Sequence, residues 1–272
     1  MQRISPARSR LHADDVPIRR AIVRSPARNF GDGITTAALG TPSFEKACEQ
    51  HAAYCDVLKA AGAAVIALAP DAEHPDAHFV EDAAIPIGGR VIVTRPGARS
   101  RRGESDALHE PLARYFDVIE RIVAPGTVDG GDVCEAGERV CVGISHRTNR
   151  AGARQLRRSI ESAGRRCVLV DIRDLPGILH LKSGMAYLGD GCFAAVDALL
   201  PRLDLPPDRV VRVTPGEEYA ANCVRVNDVL LVASGHPHLL ADFARLGYAT
   251  VALDVSEFRK MDGGLSCLSL RF

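Results

Sequence analysis

The sequence feature that most constrains the fold is a repeated local pattern, in which a helical stretch ends at a glycine and a β-rich run follows. Three segments have this form: LKAAGAAVIAL ending at Leu68, ESAGRRCVLV ending at Val170 and ARLGYATVAL ending at Leu253. Glycine commonly ends a helix, and runs of Val, Ile and Leu form buried strands. Two less regular passages occupy residues 107–125 and 197–215. The chain therefore predicts five helix-to-strand units.

A second element recurs between these units, namely two β-rich runs joined by a turn of Gly, Asn or Asp. Its four copies are VEDAAIPIGGRVIVT, DVCEAGERVCVG, HLKSGMAYLGDGCFAAV and YAANCVRVNDVLLVA, and each predicts a hairpin. We expect the terminal run LSCLSLRF to pair with the early run IRRAIVRSP as a fifth hairpin. Five such units indicate an α/β fold that closes radially. An open doubly wound sheet is the alternative, but frequent hairpins argue against a wholly parallel sheet.

The composition predicts a soluble protein without a global charge. Of the 272 residues 46% are apolar, and Lys+Arg and Asp+Glu both number 34. A net charge of zero gives no general attraction to nucleic acid or to an anionic membrane. No run approaches the roughly 18 to 20 apolar residues of a membrane span. We expect a flexible tail at residues 1–15, one catalytic domain over residues 16–272, a cytoplasmic location, a small-molecule partner, and a monomer or homodimer.

The eight cysteines include no C-x-x-C pair, so their spacing indicates neither a structural zinc site nor a redox dithiol. We expect reduced thiols that are mostly packed in the core, since Cys is among the residue types most often buried. On burial tendencies alone Cys267 would also be a packing residue. Its position in the hairpin pattern favours a chemical role instead.

Conspicuous polar side chains recur where the predicted hairpins begin. They are Glu81 and Asp82 in one hairpin, Asp129 in another, His180 in a third, Glu217 and Glu218 in a fourth, and Cys267 in the last. Equivalent positions of successive units face the same axis in a radial fold. We therefore expect these side chains to converge on one central cavity.

The residue types in this set suit nucleophilic attack on a cationic group. A thiolate is a strong nucleophile, a nearby imidazole moves protons, and a carboxylate holds the imidazole, which are the parts offered by Cys267, His180 and Asp129. Glu81 and Asp82 form a costly anionic pair unless they bind a cation. A planar guanidinium matches carboxylate geometry, so it is the predicted substrate headgroup.

Eight segments, in chain order, resemble the dimethylarginine dimethylaminohydrolases of the guanidine-modifying pentein superfamily. They are FGDGIT, DAHFVEDAA, SRRGE, GTVDGGDV, GISHRTN, LHLKSG, EEYAANC and MDGGLSC. The resemblance runs from about residue 15 to the end of the chain. It implies a five-bladed α/β propeller (pentein) of repeated ββαβ units around a central active-site cavity, which agrees with the five units counted above.

The same resemblance implies hydrolysis of asymmetric dimethylarginine or monomethylarginine to citrulline and dimethylamine or methylamine. Cys267 would attack the guanidinium carbon, and His180, oriented by Asp129, would protonate the departing amine. Water activated by His180 would then hydrolyse the covalent thiouronium intermediate. The reaction requires no metal or other cofactor, although family precedent suggests that zinc binds Cys267 and His180 as an inhibitor.

Further positions matched to the family concern the amino-acid end of the substrate. Arg101 and Arg147 are suited to a bidentate grip on its α-carboxylate. Asp76 matches another substrate-contacting position. The backbone at Ile34, in a flexible lid, and at Met261 would hold the α-amino group.

Two other functions remain open. An arginine deiminase, or another guanidino-compound hydrolase, shares the thiol, the imidazole and the carboxylates; arginine deiminases usually add a helical domain for which this chain has no room. A non-enzymatic pentein that binds a partner is the remote alternative, since fold alone never fixes function. Glu217 and Glu218 receive no catalytic role, and the basic stretch RQLRRS predicts a solvated helix face that bears Leu156 and Ile160 on its other side.

Overall fold

The computed structural model describes residues 16–272, so the tail predicted at residues 1–15 lies outside the described residues. The strands are β1 Arg20–Arg24, β2 Ala64–Leu68, β3 Ala84–Ile87, β4 Arg90–Val93, β5 Ile119–Arg121, β6 Val133–Ala136, β7 Arg139–Ile144, β8 Arg166–Asp171, β9 Met185–Gly189, β10 Cys192–Ala195, β11 Val210–Arg212, β12 Val224–Val226, β13 Val229–Ala233, β14 Ala249–Leu253 and β15 Leu270–Arg271. The α-helices are α1 Phe44–Ala60, α2 Arg102–Ala107, α3 His109–Ala113, α4 Arg150–Ser162, α5 Leu181–Gly184, α6 Pro237–Arg245 and α7 Ser256–Arg259.

These strands form five separate three-stranded sheets of one design. The sheet orders are β15-β1-β2, β3-β4-β5, β6-β7-β8, β9-β10-β11 and β12-β13-β14. In each sheet the first strand runs antiparallel to the middle strand, and the middle strand runs parallel to the last. The two ends of the chain share one sheet, in which Ala21 pairs with Arg271 and Ile22 with Leu270. The predicted fifth hairpin is confirmed.

The inner strand of every sheet lines one axial cavity. This cavity has a volume of about 490 Å³, and its walls include residues of β3, β6, β9, β12 and β15. Five sheets that share a central cavity are the blades of a propeller. The predicted five-bladed α/β pentein is therefore confirmed, and the doubly wound alternative is wrong.

Local sequence explains where the blades are regular and where they are not. Gly164 has a φ of 75° just after α4, in the left-handed region that glycine enters at little cost, so the chain turns there into β8. Residues 197–215 form no α-helix in the fourth blade. Two short 3-10 turns, Leu200–Arg202 and Pro207–Arg209, replace it, because closely spaced prolines remove the N–H donors that an α-helix needs.

Helix α4 shows how the outer helices are held on the blades. Leu156 and Ile160 are fully buried, whereas Arg154 and Arg158 are exposed on the other side. The solvated basic face predicted for this helix is confirmed. In the described part of the chain, no helix has both the length and the apolar content to cross a membrane.

Leu156→Ala is expected to destabilise the protein by about 3 kcal/mol, because it removes buried methyl groups and leaves a cavity between α4 and its sheet. Arg158→Ala on the exposed face is the matched control, with a change within about 0.5 kcal/mol. Urea unfolding followed by circular dichroism measures both. Equal midpoints for the two variants would contradict the packing described here.

Candidate active site

A short turn precedes the inner strand of each blade, and these turns meet near the axis. They are Val80–Ala83 before β3, Gly130–Asp132 before β6, α5 before β9, Glu218–Ala221 before β12 and Ser266–Leu268 before β15. Successive turns contact one another in the series Ser266–Leu268, Val80–Ala83, Gly130–Asp132, α5 and Glu218–Ala221. Side chains at these positions are therefore brought together although they lie far apart in the sequence, as the hairpin pattern predicts.

Most of the predicted site residues line a single narrow cavity at these turns. Those that line it are Ile34, Asp76, Asp82, Arg101, Arg147, His180, Met261 and Cys267, together with Phe79, Leu179, Asp262 and Gly263. The cavity combines a thiol, an imidazole, two guanidinium groups and several carboxylates. Asp129 lies directly behind it, and Glu81 faces elsewhere.

His180 and Asp129 form a buried hydrogen-bonded pair. Nε2 of His180 lies 3.1 Å from Oδ2 of Asp129, whose side chain is fully buried. The other oxygen of Asp129 accepts from the backbone N–H of Gly97 at 2.8 Å, and Nη1 of Arg147 lies 4.0 Å from Oδ2. The carboxylate is thereby fixed on both sides, which is the geometry required to orient the imidazole.

Electrostatics keep His180 protonated at neutral pH. Burial alone lowers its pKa, but the carboxylates of Asp82, Asp132 and hydrogen-bonded Asp129 outweigh burial and raise the pKa to about 9. Nε2 therefore donates to Asp129, and the ring carries a positive charge. In this state the imidazole is an acid and is unable to take a proton from a thiol.

Cys267 lies in the turn Ser266–Leu268 and is partly exposed to the cavity. Burial, and next the negative charges of Glu81 and Asp82, raise the pKa of its thiol to about 12. The resting site therefore holds a neutral thiol beside a charged imidazole. A cation bound near Asp82 would offset the negative charge and favour the thiolate.

Asp82 and Arg101 form a buried ion pair that also includes Glu104. Nη1 of Arg101 donates to Oδ2 of Asp82 at 2.6 Å, and Nε and Nη2 donate to Glu104. Nη2 further donates to the carbonyl oxygens of Asp76 and Phe79. Burial raises the pKa of Asp82, but the positive charges of His180 and Arg101 outweigh burial and hold the pKa below its usual value. Arg101 thus holds Asp82 ionised, a role that sequence reasoning did not foresee.

The structure departs from the prediction at Glu81, which was expected to bind a guanidinium with Asp82. Oε1 of Glu81 lies 2.6 Å from Nζ of Lys182 and 2.9 Å from Nη2 of Arg271, and Oε2 accepts from Oγ of Ser266 at 2.7 Å. Its side chain lines the axial cavity and not the cavity of Cys267. Two internal cations already neutralise it, so no substrate cation is needed there.

Two carboxylates hold the segment predicted to be a lid. Both oxygens of Asp76 accept from the backbone N–H of Ile34, at 3.2 and 3.1 Å. Asp262, which the sequence did not single out, accepts from the N–H of Thr36 at 2.5 Å and from its hydroxyl at 2.9 Å. The carbonyl of Ile34, and not its N–H, is therefore the group left to face a ligand.

Glu217 and Glu218 do not reach the centre of the propeller. The carboxylate of Glu217 accepts from the N–H groups of His238 and Leu239 in the first turn of α6, and Glu218 is exposed. Glu217 thus satisfies helix donors that otherwise lack partners. In this blade the side chain of Asn222, and not that of either glutamate, contacts the neighbouring turns through Lys182 and Ser266. Asn222 belongs to the motif EEYAANC, which was the sequence signal that could have identified it.

Among residues 16–272, Asp82, Asp129 and His180 form a group whose ligand atoms all lie within 4.8 Å of one another. The group does not include Cys267. A charged imidazole between two carboxylates accounts for this clustering without a metal ion. Inhibitory zinc at Cys267 and His180 stays a prediction.

Asp82→Asn is expected to lower the pKa of His180 from about 9 by about one to two units, because an opposite charge beside the imidazole is removed. Asp262→Asn is the matched control, since that carboxylate lines the same cavity but binds Thr36. Histidine NMR titration, with the resonance assigned by its loss in His180→Gln, measures both. An unchanged value in Asp82→Asn would contradict the assigned cause.

Comparison with known proteins places this site in a family. The profile of the arginine deiminase family matches residues 72–205. The chain is 40% identical to the N(G),N(G)-dimethylarginine dimethylaminohydrolase of Pseudomonas aeruginosa, over 93% of this chain and 99% of that protein. It is 36% identical to the protein of the same name from Streptomyces coelicolor, over 94% of this chain and 98% of that protein.

A solved structure supports the same relationship. A cysteine-to-serine mutant of the Pseudomonas aeruginosa enzyme, complexed with citrulline, superposes with a TM-score of 0.91 and 40% identity, over 94% of this chain and 100% of that chain. The likeness therefore extends over nearly the whole chain. The chain belongs to the dimethylarginine dimethylaminohydrolase family.

Proposed function

We propose that the protein hydrolyses Nω-methylated arginines, asymmetric dimethylarginine and monomethylarginine, to citrulline and dimethylamine or methylamine. The observation that carries the proposal is one cavity lined by Cys267, Asp82 and His180, with His180 hydrogen-bonded to the buried Asp129 behind it. It occurs in a chain that matches two dimethylarginine dimethylaminohydrolases over nearly their full length. One of those enzymes has been solved with citrulline bound.

Binding of the cationic substrate starts the reaction. The guanidinium places a positive charge beside Asp82 and Cys267, which lowers the pKa of the thiol, and the thiol proton passes to solvent because His180 is already protonated. The Sγ thiolate then forms a bond to the guanidinium carbon and gives a tetrahedral adduct. His180 donates its proton to the alkylated nitrogen, and the carbon–nitrogen bond breaks with release of the amine.

The second half of the reaction regenerates the enzyme. The covalent thiouronium intermediate is attacked by water, whose proton is taken by the now neutral His180. The hydroxyl group of the resulting tetrahedral adduct gives its remaining proton to solvent as the carbon–sulfur bond breaks. Citrulline leaves, and Cys267 returns as a thiolate that takes a proton from solvent to restore the resting thiol. Asp129 holds the ring in one orientation through both proton transfers by its hydrogen bond to Nε2.

Recognition of the substrate falls to groups at the two ends of the cavity. Asp82 accepts from the guanidinium through oxygen lone pairs that Arg101 and Gly131 do not use. Arg147 binds the α-carboxylate, because its guanidinium lines the cavity and is partly exposed. Arg101 contributes to binding of the α-carboxylate through the second hydrogen of Nη1, because its other nitrogens bond Glu104 and backbone carbonyls.

The α-amino group is bound beside the lid. Asp76 supplies a carboxylate, and the carbonyl oxygens of Ile34 and Met261 supply neutral acceptors. An ammonium group at this point would share Asp76 with the N–H of Ile34, so binding at the amino end is coupled to the position of the lid.

The protein is expected to release citrulline from asymmetric dimethylarginine faster than from arginine. The second candidate, an arginine deiminase activity, is favoured by the arginine deiminase profile over residues 72–205. Both activities use the same reacting groups, so only rates separate them. Colorimetric citrulline assays with each compound measure kcat/KM. Equal or faster turnover of arginine would overturn the assignment to methylated substrates.

Cys267→Ser is expected to lower kcat by about 10³-fold or more, because a serine hydroxyl in this site lacks a base that ionises it. Cys48→Ser is the matched control: this thiol is also partly exposed but lies in α1, away from the cavity. Citrulline release measures both variants. Full activity in Cys267→Ser would exclude the covalent mechanism. A wild type without activity would instead favour the non-enzymatic alternative.

The cytoplasm is the location we propose. All eight cysteines of the chain are unpaired in the structure, which supports a reducing compartment. Association as a monomer or a homodimer stays a prediction that a sedimentation measurement decides.

A further inference from the structure

The side chain of Asn222 joins two of the turns that form the site. Asn222 is 7% exposed and lies just after the turn Glu218–Ala221. Its Oδ1 accepts from the backbone N–H of Ser266 at 2.9 Å, and its Nδ2 donates to Oγ of Ser266 at 3.0 Å and to the carbonyl of Lys182 at 2.8 Å. One amide therefore binds the turn of Cys267 and the turn of His180.

Ser266 extends this connection to a third turn. Its hydroxyl donates to Oε2 of Glu81 at 2.7 Å, and Oε1 of Glu81 lies 2.6 Å from Nζ of Lys182. Asn222, Ser266, Glu81 and Lys182 thus form a closed ring of polar contacts, in which Lys182 is partly exposed and the other three residues are buried. Each of the last three stands within two residues of a group in the cavity: Ser266 beside Cys267, Glu81 beside Asp82 and Lys182 near His180.

Local sequence makes room for this amide. A Cβ atom at Gly264 would lie 2.5 Å from Oδ1 of Asn222, closer than any real contact. The turn that carries Cys267 therefore approaches Asn222 only because position 264 is glycine. Neither Asn222 nor Ser266 lines the cavity of Cys267.

We propose that Asn222 and Ser266 are positioning residues, which fix Cys267 relative to His180 without touching the substrate. The inference rests on the proposed function, because it assigns roles within that reaction. Attack and proton transfer need the reacting atoms in one geometry, and a displacement of about 1 Å costs about 100-fold in rate. The groups assigned to the amino-acid end of the substrate are not members of this ring, so its loss lowers turnover and largely spares binding.

The test compares Asn222→Ala and Ser266→Ala with Asn227→Gly. Asn227 also binds backbone groups through its side chain, at Ile18 and Ala61, but lies on the hairpin turn between β12 and β13 away from the reacting groups. Glycine suits this control because Asn227 has a φ of 53°. Kinetics are measured on whichever guanidino compound the wild type hydrolyses, and melting temperatures are recorded for all variants.

We expect Asn222→Ala to lower kcat about 100-fold with KM within about threefold of wild type. Ser266→Ala, which keeps the backbone N–H bond to Oδ1, is expected to lower kcat about tenfold. The double variant should be no slower than Asn222→Ala, because residues that act as one unit are not additive. The melting temperature of Asn227→Gly should fall as much as that of Asn222→Ala, but Asn227→Gly should retain the wild-type kcat.

Three results would overturn the inference: an unchanged kcat in a folded Asn222→Ala, an equal loss of kcat in Asn227→Gly, or a rise in KM with kcat preserved. A wild type inactive on both dimethylarginine and arginine rejects the proposed function. An active wild type with an unimpaired Asn222→Ala rejects the positioning role alone.

Discussion

The structure depends on the closure of the ring by the two ends of the chain. β15 pairs with β1, and the backbone of Phe272 exchanges hydrogen bonds with Arg20 at 2.7 and 2.9 Å. This pairing completes the fifth blade. It also fixes the turn Ser266–Leu268 at the axis, since that turn leads directly into β15. Cys267 is thus placed by the same contacts that close the fold.

Closure of the ring brings several carboxylates together in a small buried volume around His180. The positive charges of His180 and Arg101 neutralise these carboxylates. Asp82, Asp129 and Asp132 surround His180, and their combined field outweighs the desolvation of the imidazole. Arg101 offsets Asp82 from the other side. Internal cations therefore stabilise the carboxylates before any substrate arrives, while the thiol of Cys267 stays neutral. A substrate guanidinium supplies the nearby positive charge that would stabilise the thiolate form of Cys267.

The adjacent residues Glu81 and Asp82 show how a turn divides two functions. Successive side chains of a 3-10 helix point about 120° apart, and both residues belong to the turn Val80–Ala83. Asp82 consequently faces the cavity of Cys267, and Glu81 faces the axial cavity with Lys182. Their adjacency suggested a shared cation, but the direction of each side chain is set by backbone geometry that adjacency does not reveal.

The sequence by itself determined the five blades and their hairpins, because strand runs and turn residues are local signals. It also predicted that Asp82, His180 and Cys267 would meet, since each precedes an inner strand. Only the tertiary structure decided that Glu81 pairs with internal cations, that Arg101 holds Asp82 and that Asn222 joins two turns. Those contacts link different blades, and their partners and directions depend on how the blades pack around the axis.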